Sequence, residues 1–364
     1  MSQGEIMKII HCADLHLDSK LQTHLTPEKA RERRKELLLT FEKMVDYAKR
    51  NEVEAILIAG DMFDSVRATQ KTKESVLNLI QENPEIKFFY LTGNHDEEPL
   101  IQNENYVIQN LYTFNEEWTT YGLGNVAITG VKLNSKIKTI YDAINLDKDK
   151  FNIVVLHGQI SKYSSDKNAE IINLQKLSNK NIDYLALGHI HSFEMGDLDT
   201  RGKWAYSGCL EGRGFDECGL KGFVMLDINE KSFECNFIPF ASRCCHELQV
   251  DVTGIINWFD VEREALAKVQ NISPKDIVRI VLIGKYNVDL NKYIEHLEAK
   301  LQELFYYASV KDCTTLEIDI KDFENDMSLR GEFIRNVLNS SLNEEEKEAV
   351  IIAGLKALGG EELK

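Results

Sequence analysis

With 364 residues, 43% hydrophobic and 28% charged, the chain can build a large core and more than one domain. No run approaches the ~18 apolar residues of a membrane span, and the start "MSQGEIMKIIHC" lacks the basic and apolar stretches of a signal peptide, so a cytoplasmic protein is expected. The net charge of −16 argues against a chain that grips nucleic acid by bulk electrostatics, because such binding needs Lys and Arg to displace counterions.

Short β-branched runs ending in Gly, Asp or His alternate with longer amphipathic stretches, which predicts an α/β layout. Strands are predicted at "IMKIIHC", "EAILIAG", "IKFFYLTG", "NVAITGVKL", "FNIVVLHG" and "IDYLALGHI". Between the first two, Thr26 and Pro27 read as N-cap and first position of a helix reaching about Arg50, with Leu37, Leu38, Phe41, Met44 and Val45 at helical spacing. A second helix is predicted over roughly 70–81, and strands with Gly-rich turns over about 196–240 imply a mixed sheet. Residues 246–320 read as strand, helix, strand, helix and the strand "TTLEIDI". Two helices follow: "SLRGEFIRNVL", with Leu329, Phe333 and Val337 four apart, and "NEEEKEAVIIAGLKAL", where Asn343 and Glu346 have capping-box spacing. Their apolar stripes have no evident core of their own, so they dock onto the parent domain or onto another protein. Three domains are expected: 1–245, 246–322 and 323–364.

Charge is unevenly spread. Residues 131–180 hold nine Lys against five acids, whereas 246–364 hold 14 bases against 23 acids, so a polyanion would favour the middle of the chain. The seven cysteines are odd in number, form no CxxC pair and include the adjacent Cys244 and Cys245, which suits a reducing compartment better than a disulfide framework.

The informative residues are those that end the strands. The first strand runs into Asp14 and His16, the next into "GDMFD" with Asp61 and Asp64, the third into "GNHD" with Asn94, His95 and Asp96. Later strands run into His157 and into "GHIH", with His189 and His191 placed to share one strand face. Carboxyl ends of strands are where open α/β sheets bind ligands. Taken singly, each residue has an ordinary explanation as a turn former or a satisfied polar group. Together, two Asp, one Asn and four His are too many donors for one tetrahedral ion and suit two ions such as Zn, Fe or Mn. Such ions, ~3.5–4 Å apart and bridged by one carboxylate, would activate a water for in-line attack on phosphorus. His95 would be free to protonate the leaving oxygen, with Asp64 holding its ring in one tautomer.

At these residues the sequence resembles the calcineurin-like metallophosphoesterases, whose ordered signature D-x-H, G-D-x-x-D, G-N-H-D/E, H and G-H-x-H runs here from 14 to 191. The resemblance implies a four-layer αββα sandwich, one metal on Asp14, His16, Asp61 and His191, and a second on Asp61, Asn94, His157 and His189. Asp61 is then the bridge, and His95 with Asp64 the acid dyad. The start "IIHCADLHLDS", the "YSGCLEGRGFDECGLKGF" region, a small α/β cap and the C-terminal helices look most like a shorter bacterial branch of the SbcD-type DNA-repair exonucleases. That branch implies DNA as substrate, manganese as the usual metal, and an SMC-like coiled-coil ATPase of SbcC type bound by the C-terminal tail. It also implies a homodimer through helices near the second and third motifs, here residues 68–83 and 98–113. Two other readings compete: a small-molecule phosphatase or phosphodiesterase using the same dinuclear site, and a non-catalytic scaffold, against which the complete ligand set argues.

Overall fold

The computed structural model describes residues 6–21, 25–64, 68–96, 100, 107–134, 140–161, 170–229, 232–287, 290–317 and 326–358. The chain divides into two units, Met1–Cys244 and Cys245–Lys364.

In the first unit, β1 (Met7–Cys12) places Ile9 and His11 on one face and Ile10 and Cys12 on the other, all fully buried, so the strand must be covered on both sides. Helix α1 (Pro27–Arg50) supplies one cover. Thr26 caps it by accepting from the Lys29 amide at 3.3 Å, Pro27 occupies the first turn, and Leu37, Phe41, Met44 and Val45 form its buried stripe. Strands β2 (Ala55–Ala59), β3 (Lys87–Leu91) and β4 (Leu111–Phe114) extend the sheet in parallel from β1, with α2 (Gln70–Gln81) between β2 and β3. A second sheet begins with β5 (Thr119–Leu123), β6 (Val126–Gly130) and β7 (Phe151–His157). After the short parallel pair β8 (Gln159–Ile160) and β9 (Ile171–Ile172) and the four-residue helix α3 (Leu174–Leu177), it continues in β10 (Tyr184–Gly188), β11 (Glu194–Asp197) and β12 (Lys203–Tyr206). Strands β13 (Gly222–Ile228) and β14 (Phe233–Pro239) return to the first sheet, β13 antiparallel to β1. The strand orders are β14-β13-β1-β2-β3-β4 and β11-β12-β10-β7-β6-β5.

Alternation along the strands sets the layers. Ile9, Ala55, Leu57 and Phe89 of the first sheet meet Ile128, Ile153, Val155 and Ala186 of the second in one core. Their neighbours Ile10, Ile56, Ile58 and Phe88 face α1 and α2, while Val154, Leu156, Leu185 and Leu187 face outward onto Tyr141, Ile144 and Leu177. This is the αββα sandwich, with about 1.5–3 kcal/mol from each fully buried large apolar side chain. Its fourth layer is thin: among the described residues α3 is the one helix over the second sheet. The two sheets converge at one end, where a Cβ on Gly188 would lie 1.8 Å from the Ala59 carbonyl oxygen.

The second unit holds a parallel sheet of β15 (Cys245–Asp251), β16 (Ile277–Ile283) and β18 (Tyr307–Asp312), linked through α4 (Trp258–Val269) and α5 (Ile294–Leu304). Between them β17 (Lys285–Asn287) pairs with β19 (Thr315–Glu317). The third sheet strand is therefore "YASVKD" and not "TTLEIDI". Ala308 is fully buried against Leu297 and Leu301 of α5, whereas the described part of "TTLEIDI" pairs only with β17, and residues 318–320 lie outside the described residues. The helices α6 (Leu329–Leu338) and α7 (Glu344–Leu358) find part of their core in each other, through Ile334, Val337, Ile351 and Leu355. The capping box forms: Asn343 Oδ1 accepts from the Glu346 amide at 2.9 Å, and Glu346 Oε2 from the Asn343 amide at 3.0 Å.

Of the two segments expected at a dimer face, 68–83 contains α2, but 111–113 belong to β4 and not to a helix; 98, 99 and 101–106 lie outside the described residues. Among the described residues no helix is long and apolar enough to cross a membrane.

Candidate metal centre

Past the ends of β1, β2 and β10 the backbone takes positive φ at four of the predicted ligands: Asp14 (φ 51°), His16 (φ 42°), Asp61 (φ 51°) and His189 (φ 104°). Such conformations cost of order 1–3 kcal/mol each and persist only where the surroundings impose them. Here the Asp14 amide donates to the Gly60 carbonyl and the His16 amide to the Asp61 carbonyl, both at 3.0 Å, while the His189 amide donates to the Asp14 carboxylate at 2.9 and 3.1 Å. The three strand ends are thus tied together before any side chain meets another.

Among the expected ligands two clusters result. Asp14, His16 and His191 each offer a donor atom within 4.8 Å of the others, and so do Asp61, His157 and His189. Asp61 links them, its Oδ2 lying 3.4 Å from His157 Nε2 and 3.9 Å from His16 Nε2. Asn94 joins the second cluster, with Oδ1 2.8 Å from His157 Nε2, and in the first His16 Nε2 and His191 Nε2 face each other at 3.1 Å. The "GHIH" pair does not share a strand face, because β10 ends at Gly188 and the turn at His189 sends the two rings to different clusters.

Two glycines make this packing possible. A Cβ on Gly60 would fall 2.1 Å from His157 Nδ1, and one on Gly93 would fall 2.1 Å from Asp61 Oδ1. Asp96, at the end of "GNHD", is structural: its buried carboxylate accepts from the amides of Met62, Phe63 and Gly93 at 3.2, 2.9 and 2.9 Å and ties two loops together.

The electrostatics favour positive charge at the centre. Burial disfavours a charged Asp61, yet the His157 hydrogen bond and the facing His157 and His16 rings outweigh it and hold the carboxyl well below its usual range. Burial also opposes a charged His157, but Asp61 pushes that ring up to about 9. A site that draws a proton in this way welcomes a cation in its place. Carboxylate, imidazole and amide donors suit Zn, Fe or Mn, and two clusters joined at one buried carboxylate fit two ions.

His95 stands exposed at the rim, its amide donating to Asp61 Oδ1 at 2.9 Å and its ring 5.2 Å from that of His16. Asp64 meets it differently than expected. His95 Nδ1 lies 3.2 Å from the Asp64 backbone carbonyl oxygen, while the Asp64 carboxylate sits 2.7 Å from Arg213 Nη1 and 3.3 Å from His16 Nδ1. That carboxylate also offers an oxygen within 4.8 Å of a His95 ring nitrogen, so Asp64 stands among His95, His16 and Arg213.

Two residues of the site were not singled out in the sequence, although they lie in the "YSGCLEGRGFDECGLKGF" stretch that carries the resemblance. Glu217 is buried with Oε1 2.7 Å from His191 Nδ1, and Arg213 pairs with it. Both lie in a Gly-rich stretch without periodicity, where only the fold brings them to the histidines. That stretch is anchored to α1 by the fully buried Arg33, which donates to Glu211 at 3.1 Å and to the Gly212 carbonyl at 2.6 Å.

The chain has several similar proteins. The uncharacterized metallophosphoesterase YhaO of Bacillus subtilis (strain 168) is 26% identical over 295 residues, 76% of this chain and 72% of its own length. Among solved structures, TT1561 of Thermus thermophilus aligns at a TM-score of 0.42 and 13% identity over 64% of this chain and 99% of its own. A dimetal phosphatase from Danio rerio aligns at 0.41 and 10% over 63% and 95%. The calcineurin-like phosphoesterase model matches residues 7–193, from β1 through the "GHIH" turn, and the chain belongs to that family of dinuclear metal-dependent hydrolases.

Proposed function

We propose that the chain is a manganese-dependent DNA exonuclease, with endonuclease activity, acting as the nuclease subunit of a DNA-repair complex with an SMC-like coiled-coil ATPase. The observation that carries phosphodiester hydrolysis is the pair of donor clusters sharing Asp61, with His95 beside them on an exposed rim. Asp14, His16, Asp61 and His191 would hold one ion, and Asp61, Asn94, His157 and His189 the other. When bound, the ions supply Lewis-acid stabilisation of the phosphoryl oxygens and a water acidic enough to attack at neutral pH. His95 delivers a proton to the leaving oxygen, its ring held through Nδ1 by the Asp64 carbonyl. An exposed acid suits a polymer that lies across the rim, and the likeness to the DNA-repair branch supplies the choice of DNA. At the start of α6, Met327 and Leu329 are 94% and 68% exposed, an apolar pair that supports docking of the ATPase there.

The net charge of −16 favours a second reading, a phosphatase or phosphodiesterase for a small nucleotide, because an acidic chain repels a long polyanion. The Lys-rich stretch from 131 to 180, which flanks His157 in the sequence, runs against that charge, although Lys136, Lys138, Lys162 and Lys167 of it lie outside the described residues. Cleavage of single- and double-stranded DNA with added Mn2+, with and without the ATPase, decides between them. DNA cleavage by the native chain that His95→Ala abolishes is the expected result. Efficient turnover of a mononucleotide ester, with DNA left intact even when the ATPase is present, overturns the nuclease reading.

A further inference from the structure

We propose that Arg213 positions one half of the metal centre, by clamping the two carboxylates, Asp64 and Glu217, that orient His16 and His191. The inference rests on the dinuclear reading and assigns a task to three residues outside the ligand set.

An imidazole that offers Nε2 to an ion turns Nδ1 outward, and the partner of Nδ1 fixes both tautomer and ring orientation. His191 Nδ1 has Glu217 Oε1 at 2.7 Å. His16 Nδ1 lies 3.3 Å from Asp64 Oδ1 as a charge contact without hydrogen-bond geometry, so Glu217 is the stronger arm. Both carboxylates end on one guanidinium: Nη1 lies 2.7 Å from Asp64 Oδ1, and Nε and Nη2 lie 3.0 and 2.7 Å from Glu217 Oε1. The Arg213 amide closes the loop on Glu217 Oε2 at 2.7 Å.

All three nitrogens of the fork thus face carboxylates, which leaves it poorly placed to grip a substrate phosphate and well placed to hold two anions side by side. Without the guanidinium, Glu217, only 2% exposed, would be a buried charge that keeps the His191 ring, the backbone amide of residue 213 and the Cys209 thiol but no full cation. The other cluster is built otherwise. His157 Nδ1 faces the Ala59 carbonyl at 2.9 Å, a neutral acceptor. One ion would therefore have carboxylates steadied by Arg213 behind its imidazoles, and the other a backbone carbonyl behind His157, so the two should respond differently to the loss of outer charge.

Titration calorimetry of the full chain with Mn2+ tests this. The native chain is expected to bind two ions, and Glu217→Gln and Arg213→Gln to weaken one of them about 10- to 100-fold while the other keeps its affinity. Asp64→Asn, at a part-exposed carboxylate on the same guanidinium, should weaken the same ion by less, and it decides the matter if the Glu217 variant folds poorly. Native affinity for both ions in these variants, or equal loss of both, overturns the inference while two ions in the native chain keep the dinuclear reading. Fewer than two ions in the native chain overturns both.

Discussion

Gly93 approaches Asp61 so closely that a Cβ at position 93 would lie 2.1 Å from Asp61 Oδ1 and 2.5 Å from its backbone nitrogen. The shared carboxylate of the centre is therefore set by what the "GNHD" loop lacks. Gly93→Ala is expected to destabilise the fold by about 1–3 kcal/mol, as overpacking does, and to displace Asp61. Urea unfolding together with Mn2+ stoichiometry checks it. A variant that binds two ions with native affinity would show that the loop yields without moving Asp61.

His95→Ala should lower kcat by about 10²- to 10⁴-fold on a nucleotide ester, whose alkoxide leaving group needs a proton. On a p-nitrophenyl ester, which leaves without one, the loss should be small. Asp64→Ala should slow both esters alike, because the His95 ring rests on the Asp64 carbonyl and the carboxylate faces His16. Equal losses on both esters for His95→Ala would remove it from the role of acid.

Arg33 is fully buried on α1 and carries Glu211 and the Gly212 carbonyl, with Thr40 and the Ser242 amide completing the Glu211 shell at 3.0 and 2.7 Å. Arg33→Met leaves that carboxylate buried without its cation and should cost about 3–5 kcal/mol in denaturant unfolding. A loss below about 1 kcal/mol would mean that the neighbouring Arg243 takes over.

His11 is wholly buried between the sheets with Nδ1 2.8 Å from the Tyr184 hydroxyl, and burial lowers its pKa from 6.5 to about 3. Between those values the unfolded chain binds a proton that the native one refuses, so stability rises with pH and is lost as pH falls below 6.5. The slope from this residue is about 1.4 kcal/mol per pH unit. Native protein should therefore lose stability between pH 6 and 5 more steeply than His11→Phe by about that amount; parallel curves would refute it.

The helices were legible because their signals are local. Thr26, Pro27 and a stripe from Leu37 to Val45 mark α1, and Asn343 and Glu346 mark α7. Strand β18 was not, since "YASVKD" has one fully buried apolar side chain and earns its place only by pairing with β16. Glu217 and Arg213 were hidden for a related reason: a buried ion pair in a loop has no period to betray it.

By itself the sequence determined which residues could meet, because Asp, Asn and His at the ends of parallel strands of alternating apolar pattern have one end of a sheet to occupy. The tertiary structure alone decided how they meet. A left-handed turn at His189 divides "GHIH" between two clusters, Gly60 and Gly93 admit the His157 ring and the Asp61 carboxylate, and Arg213 pairs with the Asp64 carboxylate beside His16. Those choices depend on distances of a few ångströms between segments far apart in the chain, and spacing along a sequence carries no record of them.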